Sequence, residues 1–235
     1  QLHAKGVQKI VACFDENSMD DSRWEAGHKF QQKNYRLLLE KVLEHSWLGV
    51  IFKPKRPSTL KKRLGDVAAL LKEAEQTGRC LVLEKLGLYG NNIPPTLAGL
   101  AADVAIQGNM YAGTVALECA LAGIPTLSVD QECCRQSRLY ELGEGKVVFQ
   151  SYENLWETLQ EHWNSPGGLP GLGDWSPLLD EMDPFRDGRG AERVGTYLHW
   201  LIQGFDQGKY REQILEEAAD KYCKQWGADK IGSVN

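Results

Sequence analysis

Residues 102–130 read ADVAIQGNMYAGTVALECALAGIPTLSVD, and the fold follows from how this run divides. ADVAIQ (102–107) is a short apolar run, read as a buried strand. The loop GNMYAG leads into a helix that starts at about Thr114. Gly123 stops that helix and Pro125 opens the next strand, IPTLSV (124–129). The unit is therefore strand, loop, helix, strand. Its strands are apolar on both faces and need cover on both sides, as strands of a parallel sheet do. Glu118 is the one charge between 109 and 129.

The same alternation extends in both directions. KIVACF (9–14), LGVIF (48–52), RCLVLE (79–84) and KVVF (146–149) read as strands. Between them, Phe30, Leu37, Leu38, Val42 and Leu43 recur at helical spacing from about 27 to 45. Ser58 is placed to cap a helix carrying Leu60, Leu64, Val67, Leu70 and Leu71 and ending near Gly78. Pro94 and Pro95 open a short helix through Leu100. Ser151 is a good N-cap for a helix over 151–163. The expected architecture is α/β: a doubly wound, mainly parallel sheet of about six strands. In such a sheet the ligand sits beyond the carboxyl ends of the strands, where strand order reverses. The Gly- and Pro-rich stretch NSPGGLPGLGDWSP (164–177) reads as a linker, followed by amphipathic helices over 190–205 and 210–227. The chain thus divides into a Rossmann-like lobe, 1–165, and a linker with a helical tail, 166–235.

A net charge of −5 argues against a general nucleic-acid binder, which would carry a basic surplus. No apolar run reaches the roughly 18 residues of a membrane helix, and no signal peptide is visible. The six cysteines show no CxxC and no Cys/His pairing at zinc-ligand spacing, and the five histidines show no metal or triad spacing. The expectation is a cytoplasmic protein with reduced thiols and no metal.

Two stretches carry candidate chemistry. The helix after 102–107 would aim its free N–H groups and positive dipole end at the ligand crevice, which suits a phosphate. Gly113 would let a ligand approach the backbone, and the Thr114 hydroxyl could cap the helix or meet a phosphate oxygen. Glu118, one turn on, shares the face of Thr114 and could accept hydrogen bonds from ribose hydroxyls; the alternative is an ordinary solvent-facing helix residue. The second stretch is FKPKRPSTLKKRL (52–64). Lys53, Lys55 and Arg56 follow a strand onto the same rim and could neutralise a diphosphate. Lys61, Lys62 and Arg63 read as a solvated basic face. Tyr89 and Tyr111 could stack on a nucleobase or simply pack. Asp15 and Glu16, after the first strand, could touch an acceptor.

The element GTVALECALAGIPTL (113–127) resembles the donor-lobe signature of glycosyltransferases with the two-lobed GT-B architecture. FDEN (14–17), FKPKR (52–56), ADVAI (102–106) and DPFRDGRGAERVGTYLHWL (183–201) resemble the C-terminal lobe of bacterial surface- and capsular-polysaccharide biosynthesis proteins. The resemblance implies a nucleotide-sugar donor with its phosphate at Gly113 and Thr114, its ribose at Glu118 and its charge balanced by residues like Lys53, Lys55 and Arg56, without a metal or other cofactor. It implies a glycan or lipid-linked acceptor, a partner N-terminal lobe outside this chain, and a cytoplasmic site of action, with peripheral association at the inner membrane as a further option. A chain of one lobe would bind donor without transferring sugar, so no catalytic base is assigned. A hexosamine 2-epimerase or CDP-glycerol-type transferase of the same fold stays open, as does a non-catalytic binding or assembly module.

Overall fold

The computed structural model describes residues 1–20, 27–83, 93–110 and 113–228. Two compact units emerge, Gln1–Leu179 and Asp180–Asn235.

The first unit is built on one sheet. Its strands are β1 (Lys9–Phe14), β2 (Leu48–Lys53), β3 (Cys80–Val82), β4 (Val104–Gln107), β5 (Thr126–Val129) and β6 (Val148–Phe149). They lie in the order β3-β2-β1-β4-β5-β6, and every pair is parallel. This is a Rossmann-like doubly wound sheet, and its strand order reverses between β1 and β4. β1 and β4 are the central strands, and almost every residue in them is buried.

Both faces are covered, as the two-sided apolar strands require. On one face Val11, Phe52, Val104 and Leu127 pack with residues of α1 (His28–Glu44), α2 (Pro57–Leu64), α3 (Val67–Gln76) and α6 (Tyr152–Asn164). On the other, Ala12, Phe14, Ile51 and Ala105 pack with Ala98 of α4 (Pro95–Leu100) and Cys119 of α5 (Thr114–Leu121). All six cysteines are free, and among the described residues no helix is long and apolar enough to cross a membrane.

Two local features depart from the sequence expectation, and one follows it. The helical run after β2 is two helices, because Gly65 takes a left-handed φ of +53° between α2 and α3. Pro57 supplies the first helical residue of α2, so its N-cap is Arg56 rather than Ser58. Ser151 does cap α6, accepting a hydrogen bond from the Asn154 amide at 3.1 Å.

The stretch 164–177 is packed against the first unit. Gly173 accepts from the Thr126 amide at 3.0 Å and donates to the Lys146 carbonyl at 2.9 Å. The Trp175 indole donates to the Thr126 carbonyl at 2.9 Å, and Leu172 is buried in the main core. A short helix, α7 (Ser176–Met182), follows. Within the second unit, α8 (Gly190–Asp206) and α9 (Arg211–Trp226) pair. Tyr222 meets Tyr197 and Trp226 edge to face, and Gly204 lies against Ile214. Val194, Leu198, Ile202 and Phe205 form an exposed apolar line along α8.

His162 near the end of α6 holds the turn that begins the packed stretch: its Nδ1 accepts from the Leu169 amide at 2.8 Å. Burial first, then the charge of Lys9, lowers its pKa. The unfolded chain therefore takes up the proton first, and a protonated ring has no acceptor left for Leu169. This contribution is full above the ordinary histidine value of about 6.5 and is lost as pH falls below it. Hydrogen exchange between pH 7.5 and 5.5 should show the Leu169 protection factor dropping while amides in β1 keep theirs.

Candidate functional site

β1 ends at Phe14, and Asp15 is the first residue past it. Its carboxylate is almost enclosed, with the side chain 9% exposed. One oxygen accepts from Gln31 Nε2 at 2.5 Å and from the Tyr35 hydroxyl at 2.8 Å; the other accepts from the Lys55 amide at 2.9 Å. Gln31 and Tyr35 are one turn apart on α1, so they reach the same group. Arg63, on α2, lies 4.0 Å from Asp15 and is itself 4% exposed. Its guanidinium donates to Gln31 Oε1, to the Thr59 hydroxyl and to the Arg56 carbonyl. Burial raises the Asp15 carboxyl above the ordinary aspartate value; the Lys55 amide, Tyr35 and Arg63 offset part of that rise.

A small cavity of about 30 Å³ opens beside this network at the exits of β1 and β4, lined by Cys13, Asp15, Glu16, Ser18, Asn34 and Asn109 among others. That volume holds a water or two rather than a nucleotide. A larger ligand at the switch point therefore has to sit above it, on the rim loops. The Cys13 thiol at its floor is pushed up to about 12 by burial, so it stays protonated and is no nucleophile.

The β4 exit carries a buried amide pair. Gln107 Nε2 donates to Asn109 Oδ1 at 3.1 Å, and Gln107 Oε1 has no partner among the described residues. At the β5 exit, buried Asp130 accepts from the Cys134 amide at 3.0 Å and from the Tyr140 hydroxyl. Glu132 accepts from the Met110 amide at 3.4 Å, and burial raises its pKa. Donor atoms of Asp130, Glu132 and Cys134 lie within 4.8 Å of one another. A mixed carboxylate–thiolate set of that kind suits a borderline dication such as zinc.

The residues singled out in the sequence lie around this crevice. Lys53 ends β2, which pairs with β1, so the basic run leaves the sheet on one side of Asp15. Lys55 is tied to the network: its amide holds Asp15 and its ammonium pairs with Glu16. Arg56 is exposed. On the other side of β1, α5 starts at Thr114 with Gly113 as its N-cap and no side-chain cap. A Cβ built on Gly113 meets nothing within 4 Å. Glu118 is exposed, and the Thr96 hydroxyl of α4 donates to it at 3.1 Å. Tyr89 and Tyr111 lie outside the described residues. Arg63 departs from the expected solvated face and is buried. Its position gave a signal: three residues after Leu60 and four before Val67, it falls on the apolar stripe.

No protein-family model matches the sequence, and no curated protein matches it.

The Asp15 network sets a stability test. Asp15→Asn leaves Arg63 buried beside a neutral group and should cost about 3 kcal/mol. Lys55→Ala removes only an exposed ion pair and keeps the amide that holds Asp15, so it should cost less than about 1 kcal/mol. Urea unfolding of the two variants checks the order; equal losses would show that Asp15 is not the organising charge.

Proposed function

We propose that the first unit is the nucleotide-sugar-binding lobe of a glycosyltransferase that makes cell-surface polysaccharide. The observation that carries this reading is the start of α5. It follows β4 beside the point where strand order reverses, with no side-chain cap and with open space around the Cβ position of Gly113. Three N–H groups of its first turn and the positive end of its dipole favour a phosphate there. The exposed Thr114 hydroxyl adds a donor.

Glu118 serves the ribose in this reading. Thr96 fixes one carboxylate oxygen and leaves the other for a ligand hydroxyl. Lys53 and Arg56, with Lys55 once it exchanges Glu16 for an anion, supply positive charge from the opposite side of β1. As the glycosidic bond to the donor breaks, negative charge grows on the departing nucleotide. Fixed N–H dipoles and cations stabilise that charge without reorganising. The acceptor, a glycan or a lipid-linked sugar, and the catalytic base belong to a second lobe. The setting is the cytoplasmic side of the membrane that carries the growing polymer.

Calorimetry of this chain against CMP, CDP, UDP and GDP tests the reading. One nucleotide should bind selectively. Gly113→Val, whose Cβ meets no atom within 4 Å and whose φ of −83° a branched residue can adopt, should weaken binding at least tenfold while the chain stays folded by circular dichroism. Glu118→Ala should do the same. Nucleotide binding untouched by either variant would remove the site from α5.

A further inference from the structure

A second cavity lies at the amino end of the sheet, away from the strand exits. It is lined by Gln8, Lys9, Trp47, Gln160, Trp163 and Asn164. Gln8 and Lys9 enter β1, Trp47 enters β2, and the other three come from the last turn of α6. Its volume is about 210 Å³, against about 30 Å³ for the cavity at the β1/β4 exit. At about 30 Å³ per water, it has room for roughly seven water molecules, or one six-membered ring with its substituents.

We infer that this cavity is a carbohydrate subsite that takes one pyranose ring. Two half-buried indoles, Trp47 and Trp163, stand edge to face at 5.6 Å and form apolar walls. Buried Trp156 backs both, at 6.3 Å and 6.1 Å, and stacks with His45 at 5.5 Å, so the walls are rigid. Gln8, Gln160 and Asn164 ring the opening. A primary amide donates and accepts at once, which matches a hydroxyl that does the same. None of these three side chains has a hydrogen-bond partner among the described residues. Gln8 and Asn164 are exposed and Gln160 is half-buried, so the three amides stand at the open rim of the cavity beside the indole walls.

The same chemistry excludes other occupants. Among the described residues the lining holds no carboxylate, so it lacks the paired acids of glycoside cleavage and would bind without cutting. Its one cation, Lys9, lies 3.7 Å from Asp103, which leaves it poorly placed for a phosphate. A rigid aromatic wall with amides at its rim is the pairing that a sugar ring needs, apolar C–H faces against the wall and equatorial hydroxyls at the rim. This site shares no residue with the α5 site and stands whether or not that reading holds.

The test is a titration of the whole chain with N-acetylglucosamine, methyl α-mannoside, methyl β-galactoside, maltotriose and chitotriose, followed by side-chain amide and indole resonances. At least one sugar should move the signals of Gln160, Asn164 and Trp163 saturably, with a Kd on the order of 1 mM. UDP should leave them still. The double variant Gln160→Ala/Asn164→Ala changes side chains that bond to no other described residue and should keep the wild-type backbone spectrum while weakening that sugar at least tenfold. No saturable change with any sugar up to tens of millimolar, or the same affinity in the double variant, would overturn the assignment.

Discussion

One buried carboxylate organises the strand-exit end of the first unit. Asp15 leaves β1 and is gripped by two residues of α1, by the backbone after β2 and, at longer range, by Arg63 of α2. A charge so enclosed is costly unless every lone pair is used. Three donors bond it and the guanidinium lies within ion-pair range, and together they tie the β2 exit loop, α1 and α2 to the end of β1. The basic residues that follow β2 therefore stand on a loop whose backbone is pinned. The α5 start on the other side of β1 needs no such clamp, because β4 pairs with both β1 and β5.

The sheet was legible because its signal is hydrophobic burial, which the sequence carries locally. KIVACF is apolar throughout and is buried from its second residue on. Likewise Thr114 and Gly123 bracket α5 through backbone chemistry that is readable residue by residue. Composition marked 164–177 as a linker without showing whether it is ordered. The stretch 164–177 has the glycines and prolines of a flexible linker, yet its backbone pairs with Thr126 and Lys146 and its Leu172 and Trp175 are buried. Those contacts are made across the chain and leave no trace in local composition. The break at Gly65 was hidden for the opposite reason: the apolar stripe runs through it without a change of phase, so periodicity alone joined α2 to α3.

The candidate site was legible only in part. The rim residues were readable, because strand ends locate them. The buried polar groups were not. Gln31, Asn34 and Gln107 look like surface residues by type and are buried. Glu132 lies in a polar loop and has one oxygen shielded without a partner. Whether such a group is inside depends on what folds over it, and the partners here come from distant parts of the chain: Arg63 meets a residue before α1, and Met110 meets the loop after β5. Charge patterning gave Arg63 to the solvent with its neighbours Lys61 and Lys62, although hydrophobic phase put it on the inner face.

The β1–β4 pairing has a consequence for the order of assembly. It joins the two halves of the sheet, and Asp103 adds a stitch by accepting from the Ile10 amide at 2.7 Å. The partners are 93 residues apart in the chain, whereas the other strand pairs join segments separated by a single helical connection or loop, or by two short helices. Closing that loop carries the largest chain-entropy cost in the sheet. The half from β1 to β3 and the half from β4 to β6 can each gain local contacts before the seam forms, as folding rates that track contact order would have it. The crevice between β1 and β4 is thus the costliest part of the sheet to close, and its walls are set by the same pairing that joins the two halves of the core.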